Sequence, residues 1–404
     1  LYGGLGEAER VYLHRDVGSV LEGLFDGQTE EIAAQLARHF EEAGMPAKAA
    51  AYRLQAGSRA HRMSAHQEAT GHLTRGLELL GELPPGLERV QLELGLQTSL
   101  GRTRIATHGY ASPQVEQAFA RARELCHTLG DPPEVIPALF GLCFYYMVHG
   151  DIEKACAEGE RFLSLVQQTG ASGYYLLGSH YLLGATTMYQ AGLERSRWHL
   201  EQVAALHDQS RDRDLAHQYG HDPAVVSLLY LSWVLWFQGY PEQARAKMEE
   251  GLRLAEVVDH PHTSTLAAFC ASTFHQLVRQ WPQCQTQAER ALGLAGQGQF
   301  PFWQAGCTML RGSALAQQGR VEKGIAVLQE GLAAWDATGT RLALPFFRAH
   351  LAEAFLIARN REEAHEALEQ SFSHREEVWW LAEQHRLRAE LLLLAPGTEA
   401  EAEA

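Results

Sequence analysis

The sequence predicts an all-α solenoid of antiparallel helix pairs, on three observations. An inter-helix turn recurs six times, at Gly150 (HGDIEKA), Gly192 (AGLERS), Gly239 (QGYPEQA), Gln280 (RQWPQCQ), Gly319 (QGRVEKG) and Arg359 (ARNREEA). The intervals are near-constant at 42, 47, 41, 39 and 40 residues. Each turn has about fifteen helix-compatible residues on either side, which leaves almost no room for strands.

The clearest unit is 222–255, DPAVVSLLYLSWVLWFQGYPEQARAKMEEGLRLA. Asp222 is suited to cap a helix and Pro223 to open it, because the missing proline N–H costs nothing in the first turn. Leu228, Leu231 and Leu235 share one face, and Leu229, Trp233 and Trp236 share another. A helix apolar on so much of its circumference needs cover on several sides, which neighbouring pairs must supply. Gly239 can take the left-handed conformation that ends the helix, and Pro241 opens the next, with Ala244, Met248 and Leu252 on one face.

At these positions the chain resembles the tetratricopeptide repeat. That consensus places a small residue seven before the turn residue, a large apolar one four before, and a small one five after. Gly239 gives Ser232, Leu235 and Ala244; Gly150 gives Cys143, Tyr146 and Ala155. Gly319 gives Gly312, Leu315 and Gly324; Arg359 gives Ala352, Phe355 and Ala364. Gly192 gives Ala185 and Met188, but Arg197 breaks the third place, and the Gln280 unit fits worst. The period of roughly 40 exceeds the usual value of about 34, so longer helices are expected. The resemblance implies a right-handed superhelical solenoid of about nine pairs.

In chain order, residues 1–27 read as one or two short helices behind a Gly-rich lead. Residues 29–43 read as an amphipathic helix capped by Thr29, with Ile32, Leu36 and Phe40 on one face. Gly44 and Pro46 separate it from AKAAAYRLQAGSRAHRM, and SAHQEATGHLTRGLELL follows. Leu83-Pro84-Pro85-Gly86 breaks the chain. Residues 87–129 form a pair joined by THGYASPQ, with Ser112 as cap and Pro113 opening the second helix. Repeats are expected at 134–169, 173–207, 222–258, 263–296, 302–337 and 341–374. A closing helix at 376–394 carries Trp379 and Trp380, and a frayed low-complexity tail, TEAEAEA, follows. The domains expected are thus an N-terminal helical segment (1–86), a repeat solenoid (87–374), a capping helix (375–394) and a disordered tail (395–404).

The run HRDVGSVLEGLF…EEIAAQLARHFEEAGMPAKAAAYRLQAGSRAHRMSAHQEATGHLTRGLELL is similar to the segment that follows the ATPase module in large bacterial signalling proteins of the STAND class (signal-transduction ATPases with numerous domains). The later stretches YGHDPAV, GQFPFW and LRGSALAQQGRVEKGIAVLQEGLAAWDATG carry the likeness along most of the chain. The resemblance implies an upstream ATPase with an adenylate/guanylate cyclase or transcriptional-activator module. ATP would belong to that module, and no cofactor to this segment. The start at Leu1 without Met fits the C-terminal part of a longer protein.

Composition narrows the function classes. Net charge is −15 with the two signs well mixed, which argues against direct nucleic-acid binding through a basic patch. The longest apolar run, 224–237, is shorter than the roughly 20 residues of a membrane span. The six cysteines (126, 143, 156, 270, 284, 307) form no CxxC pair and mostly sit at apolar helical positions. They read as reduced core thiols of a cytoplasmic protein.

Catalytic signatures are missing. None of the four lysines (48, 154, 247, 323) follows a glycine, so there is no P-loop, and HExxH and GxSxG do not occur. Gly296 and Gly298 lack the third glycine of a dinucleotide fingerprint. His217 and His221 lie four apart beside Asp222, and His260 and His262 form a second close pair. A metal site needs three or four converging ligands, and no third ligand matches either pair. Loop and cap histidines are the simpler account, so no metal site is assigned. Asp208, Arg211, Asp212, Arg213 and Asp214 alternate in sign as a solvated loop does. Arg341, Arg348, Arg359 and Arg361 would hold a phosphate or acidic partner only if they converged.

An aromatic line is the better candidate. In the tetratricopeptide family the concave face comes from the first helix of each pair, six and three before the turn. These positions hold Phe144 and Met147, Thr186 and Tyr189, and Trp233 and Trp236, then Ser313 and Ala316, and Glu353 and Leu356. With Leu229, the first six form a candidate partner- or ligand-binding groove, unless tight stacking buries them between repeats. The function expected is a non-catalytic interaction scaffold that binds a protein partner or the protein's own ATPase head. A small-molecule effector sensor is the alternative. An enzyme is the third reading, and a buried His217–His221–Asp222 cluster would favour it.

Overall fold

The computed structural model describes residues 6–63, 65–108, 112–130, 136–171, 173–208, 215–216, 220–373 and 376–394. Among these residues there are nineteen α-helices and no strand. The lead 1–5, most of the 208–221 loop and the tail 395–404 lie outside them. Two compact units are formed, residues 1–142 and 143–404.

The first unit contains α1 (Glu7–Leu24), α2 (Ala33–Glu42), α3 (Pro46–Arg62), α4 (His66–Leu79), α5 (Leu87–His108) and α6 (Pro113–Leu129). Leu36, Phe40, Ala49, Tyr52, Leu73 and Leu96 build its core. Residues 7–24 form one helix. Thr29 does not cap the next: it opens a short 3-10 turn, Thr29–Ile32, and the α-helix starts only at Ala33. Ser112 caps α6 as expected, its hydroxyl accepting from the Val115 N–H at 3.3 Å.

The second unit begins within α7 (Ile136–His149). It continues through α8 (Ile152–Thr169), α9 (Gly173–Tyr189), α10 (Leu193–Leu206), α11 (Pro223–Phe237), α12 (Pro241–Val258), α13 (Pro261–Leu277), α14 (Trp281–Gly298), α15 (Pro301–Gln317), α16 (Val321–Ala337), α17 (Leu344–Ile357), α18 (Arg361–Ser371) and α19 (Leu381–Leu393). Consecutive helices pack as pairs, and the fold is a tetratricopeptide-like solenoid. Asp222 caps α11, its Oδ1 accepting from the Ala224 and Val225 N–H groups at 2.8 and 3.1 Å.

Backbone conformation corrects the turn register. At the six inter-helix turns the left-handed residues are Gly150, Ala191, Gly239, Arg279, Gly319 and Arg359, with φ of 87°, 57°, 82°, 57°, 84° and 60°. The second and fourth turns therefore sit one residue before Gly192 and Gln280. The glycine at 192 misled the sequence reading, because a non-glycine side chain accepts the left-handed cost there. With this register the two poor repeats conform. The small crossing pairs become Cys143 with Ala155, Gly184 with Ser196, Ser232 with Ala244, Ser272 with Cys284, Gly312 with Gly324, and Ala352 with Ala364.

Three of these crossings carry a bond from side chain to backbone. The Cys143 thiol donates to the Ala155 carbonyl (3.0 Å), Ser196 to Gly184 (2.7 Å) and Ser272 to Cys284 (2.8 Å). At Gly312 a Cβ would lie 2.7 Å from the Leu328 nitrogen and 3.0 Å from the Gly324 oxygen. Backbones this close admit only small residues, which is why the position reads small in every repeat.

Candidate functional site

The second unit turns back on itself at two helix ends. A helix leaves its last carbonyls without an intrahelical donor. The Val148 carbonyl, at the end of α7, accepts from the Arg341 and Leu342 N–H groups, both at 3.2 Å. The Tyr189 carbonyl, at the end of α9, accepts from the Val378 N–H (3.0 Å) and the Trp379 N–H (3.3 Å). Val148 and Tyr189 each stand two residues before their left-handed turn residue, so the same repeat position makes both closures.

Residues 376–380 (EEVWW) were expected to begin a helix, but α19 starts only at Leu381. Valine and two tryptophans make a poor helix start, and here tertiary contacts hold them. Trp379, 8% exposed, meets Tyr189 of α9 edge-on with 5.7 Å between ring centroids. It lies parallel to Trp233 of α11 (6.4 Å, 12°), edge-on to Phe237 (6.0 Å), and stacked on Phe346 of α17 (5.0 Å, 23°). Trp380 packs on Phe346 (4.9 Å) and His350 (5.5 Å). The Trp233 indole N–H donates to the Cys270 carbonyl at 3.2 Å, which fixes its plane.

Two polar features lie inside this aromatic site. The Tyr189 and Tyr230 hydroxyls are 3.0 Å apart, and burial pushes both phenols up, so both stay protonated. The Glu377 carboxylate, 2% exposed, accepts from the Ala343 N–H at 2.9 and 3.1 Å. Burial pushes Glu377 up to about 8; the Ala343 N–H and the Trp379 indole favour the anion, and Glu376 opposes it. Glu376 itself accepts from the Glu153 N–H at 3.2 Å.

The sequence-predicted groove residues divide. Tyr189 and Trp233 are buried and contact the 376–380 segment. Met147, Thr186 and Leu229 are buried as well. The Thr186 hydroxyl donates to carbonyls of its own helix, and Leu229 abuts Gly251 of the paired helix α12. Phe144 and Trp236 are half-buried, and Phe144 lies 5.9 Å from the His221 ring. Tyr230, Phe237, Phe346 and Glu377 join the site without having been singled out. Tyr230 and Phe237 share a helix with Trp233, and the Val148 and Tyr189 repeat position was the signal available for Phe237. Phe346 and Glu377 come from distant segments.

The described histidines of the two close pairs have hydrogen-bond partners other than one another. His221, 3% exposed, pairs its Nε2 with the Tyr181 hydroxyl at 2.9 Å. The Trp303 indole donates to His262 Nε2 at 2.8 Å. Burial depresses both imidazoles, to about 3 for His221 and about 4 for His262. The Asp222 Oδ1 serves the helix cap, and His217 lies outside the described residues. Among the described residues no cluster of three or more His, Cys, Asp or Glu could hold a metal ion. Arg348 and Arg361 donate to separate carbonyls, those of Gln370 and Leu394, instead of converging. The six cysteines are buried thiols. No helix among the described residues is long and apolar enough to cross a membrane.

No family model matches the chain. An uncharacterized protein of Rhizobium meliloti (strain 1021) is 24% identical over 410 residues, covering 96% of this chain. The chain spans 38% of that relative's length. Three solved structures share the fold. One is a Rap protein complexed with Competence and Sporulation Factor, with TM-score 0.56, 10% identity, and 85% and 99% of the two chains covered. The apo quorum sensor NprR from B. thuringiensis has TM-score 0.56 and 12% identity, with 90% and 99% covered. Aspartyl phosphate phosphatase F from Bacillus subtilis has TM-score 0.52 and 12% identity, with 93% and 95% covered.

Proposed function

We propose that the second unit is a regulatory interaction scaffold whose inner aromatic site takes up an extended protein segment. One observation carries this reading. Tyr189, Trp233, Phe237 and Phe346, from three separate helices, surround Trp379 of a five-residue segment that has no regular structure, and Tyr230 packs behind them on Trp233. The segment is held by its side chains and by two backbone N–H groups. Backbone bonds for affinity and aromatic pockets for selectivity are the usual means of recognising an extended peptide. Two fold neighbours are described as a complex with Competence and Sporulation Factor and as a quorum sensor, in keeping with a regulatory role.

The wider setting is a STAND-type signalling ATPase, in which the bound segment belongs to a partner or to the protein's own ATPase or cyclase head. This setting rests on the sequence resemblance and on the greater length of the Rhizobium relative. The cytoplasm suits its six buried thiols. A small effector in the same aromatic site is the second reading, favoured by the enclosure of Tyr189, Tyr230 and Trp233.

The test is to pan a random linear peptide library on the immobilised chain and titrate recovered peptides against a Phe237→Ala variant. Aromatic-containing peptides should be enriched and lose about tenfold or more in affinity, as for a hot-spot contact. Peptides that bind the variant equally well would place recognition elsewhere. Native mass spectrometry showing instead a retained small molecule, lost in the variant, would select the effector reading.

A further inference from the structure

The 376–380 segment joins α18 to α19, yet its backbone bonds run to distant parts of the unit. Val378 and Trp379 donate their N–H groups to Tyr189, and the Glu377 carboxylate takes the N–H of Ala343. The receiving carbonyl and N–H both sit at helix ends, Tyr189 closing α9 and Ala343 preceding α17. Such groups are unmet by their own helices and open to any extended chain. The side chains then fall in sequence: an acid on the Ala343 N–H, a valine, a tryptophan between Trp233 and Phe346, and a second tryptophan on Phe346 and His350.

Glu377 sets this segment apart from ordinary core. A permanent packing element gains little from a buried carboxylate met only by the Ala343 N–H and, less strongly, by the indole of its own neighbour Trp379, since most of the desolvation cost remains. A ligand-like segment does gain from it, because the acid fixes register against the Ala343 N–H and makes release less costly than it would be for an all-apolar segment. The neighbouring anchor is of the surface type: Arg279 meets Glu383 of α19 at 3.2 Å, with Arg279 58% exposed. Release of 376–380 would uncover a row of aromatic side chains and the Tyr189 carbonyl.

We propose that Glu377–Trp380 is a ligand held in cis, and that the site it fills selects partner segments of the same chemistry, an acidic residue followed by an aliphatic residue and two aromatics. This rests on the reading of the site as a peptide groove and adds the identity and the regulation of its occupant. A partner segment binds only as the cis segment leaves, so the groove is closed until a competitor of matching chemistry is present.

The test uses a fluorescein-labelled, C-terminally amidated peptide Glu-Glu-Val-Trp-Trp, titrated by anisotropy against the full chain and its Trp379→Ala variant. The expected result is at least tenfold tighter binding to the variant, with the peptide raising the variant's Tm and leaving the wild-type Tm unchanged. A peptide in which the valine nitrogen is methylated should lose most of that gain, since only the longer tryptophan N–H bond to the Tyr189 carbonyl remains to it. Equal affinity for both chains would overturn cis occupancy while leaving a peptide groove in place. No binding to a variant that keeps its far-UV circular dichroism would overturn the proposal as well, and would leave the groove to the library experiment.

Should Trp379→Ala fail to fold, hydrogen exchange on the wild-type chain decides. The Val378 and Trp379 amides should exchange faster than those of α11, through an opening smaller than global unfolding. Exchange of both sets at one common rate would make 376–380 fixed core and sink the idea.

Discussion

Trp379 lies parallel to Trp233, with 12° between the ring planes and 6.4 Å between their centroids, although the two residues belong to segments more than a hundred positions apart. The contact is a slot rather than a single stack, because Phe346 lies against Trp379 at 5.0 Å and 23°. An aromatic side chain in such a slot contributes through buried area and through ring geometry.

Truncating that side chain should cost the second unit about 3–5 kcal/mol, the range for removing a buried aromatic. Denaturant unfolding of Trp379→Ala checks the magnitude. A loss under about 1 kcal/mol would mean that the slot collapses onto the gap or that Trp379 contributes little.

Glu377 predicts a stability that falls with rising pH. Its carboxyl is raised to about 8 in the folded chain, against 4.5 when exposed. The folded state therefore holds a proton that the unfolded state gives up. That contribution is complete below 4.5 and disappears as pH rises through 8. Tyr189 and Tyr230, which face the same carboxyl, stay protonated over this range. Glu377→Gln should leave the Tm unchanged near pH 4.5 and raise it near pH 8. An identical pH profile for both chains would contradict the burial of the charge.

His221 and His262 predict the opposite slope in acid. Their imidazoles are depressed to about 3 and about 4, from 6.5. The unfolded chain protonates first, so stability present above 6.5 is lost as pH falls toward 4 and below. Replacing the pair His221 and Tyr181 together by Phe removes one such group with its partner. The acid limb of the Tm profile should become shallower, measured by calorimetry between pH 7 and pH 4.

Three glycines separate close packing from backbone conformation. Gly312→Ala drives a Cβ into the Leu328 nitrogen at 2.7 Å and should cost roughly 1–3 kcal/mol, as overpacking does. Gly239 has open space around it but φ of 82°, so Gly239→Ala should cost about 1–2 kcal/mol from strain alone. Gly71, inside α4 with nothing near its Cβ position, should gain about 0.5–1 kcal/mol on mutation to Ala. Chemical denaturation of the three variants checks the signs: a destabilised Gly71→Ala, or a neutral Gly312→Ala or Gly239→Ala, would contradict these assignments.

The solenoid is legible along the chain, because each repeat states its needs locally. Pro223 and Asp222 open α11, Gly239 ends it, and small residues recur where helices cross, as at Ser232 and Ala244. These signals act within about forty residues, and the fold they specify is the one formed. Other features depend on long-range packing that no local pattern encodes. Ala191 and Arg279 take the left-handed turns because the packed pair fixes the crossing point, which moves the register by one residue. Residues 376–380 leave the helix that their neighbours continue, because two donors find the Tyr189 carbonyl and two indoles find aromatic cover on α9, α11 and α17. Periodicity records which face of a helix is apolar. It carries no information about which distant segment covers that face, since that choice depends on how the whole stack winds.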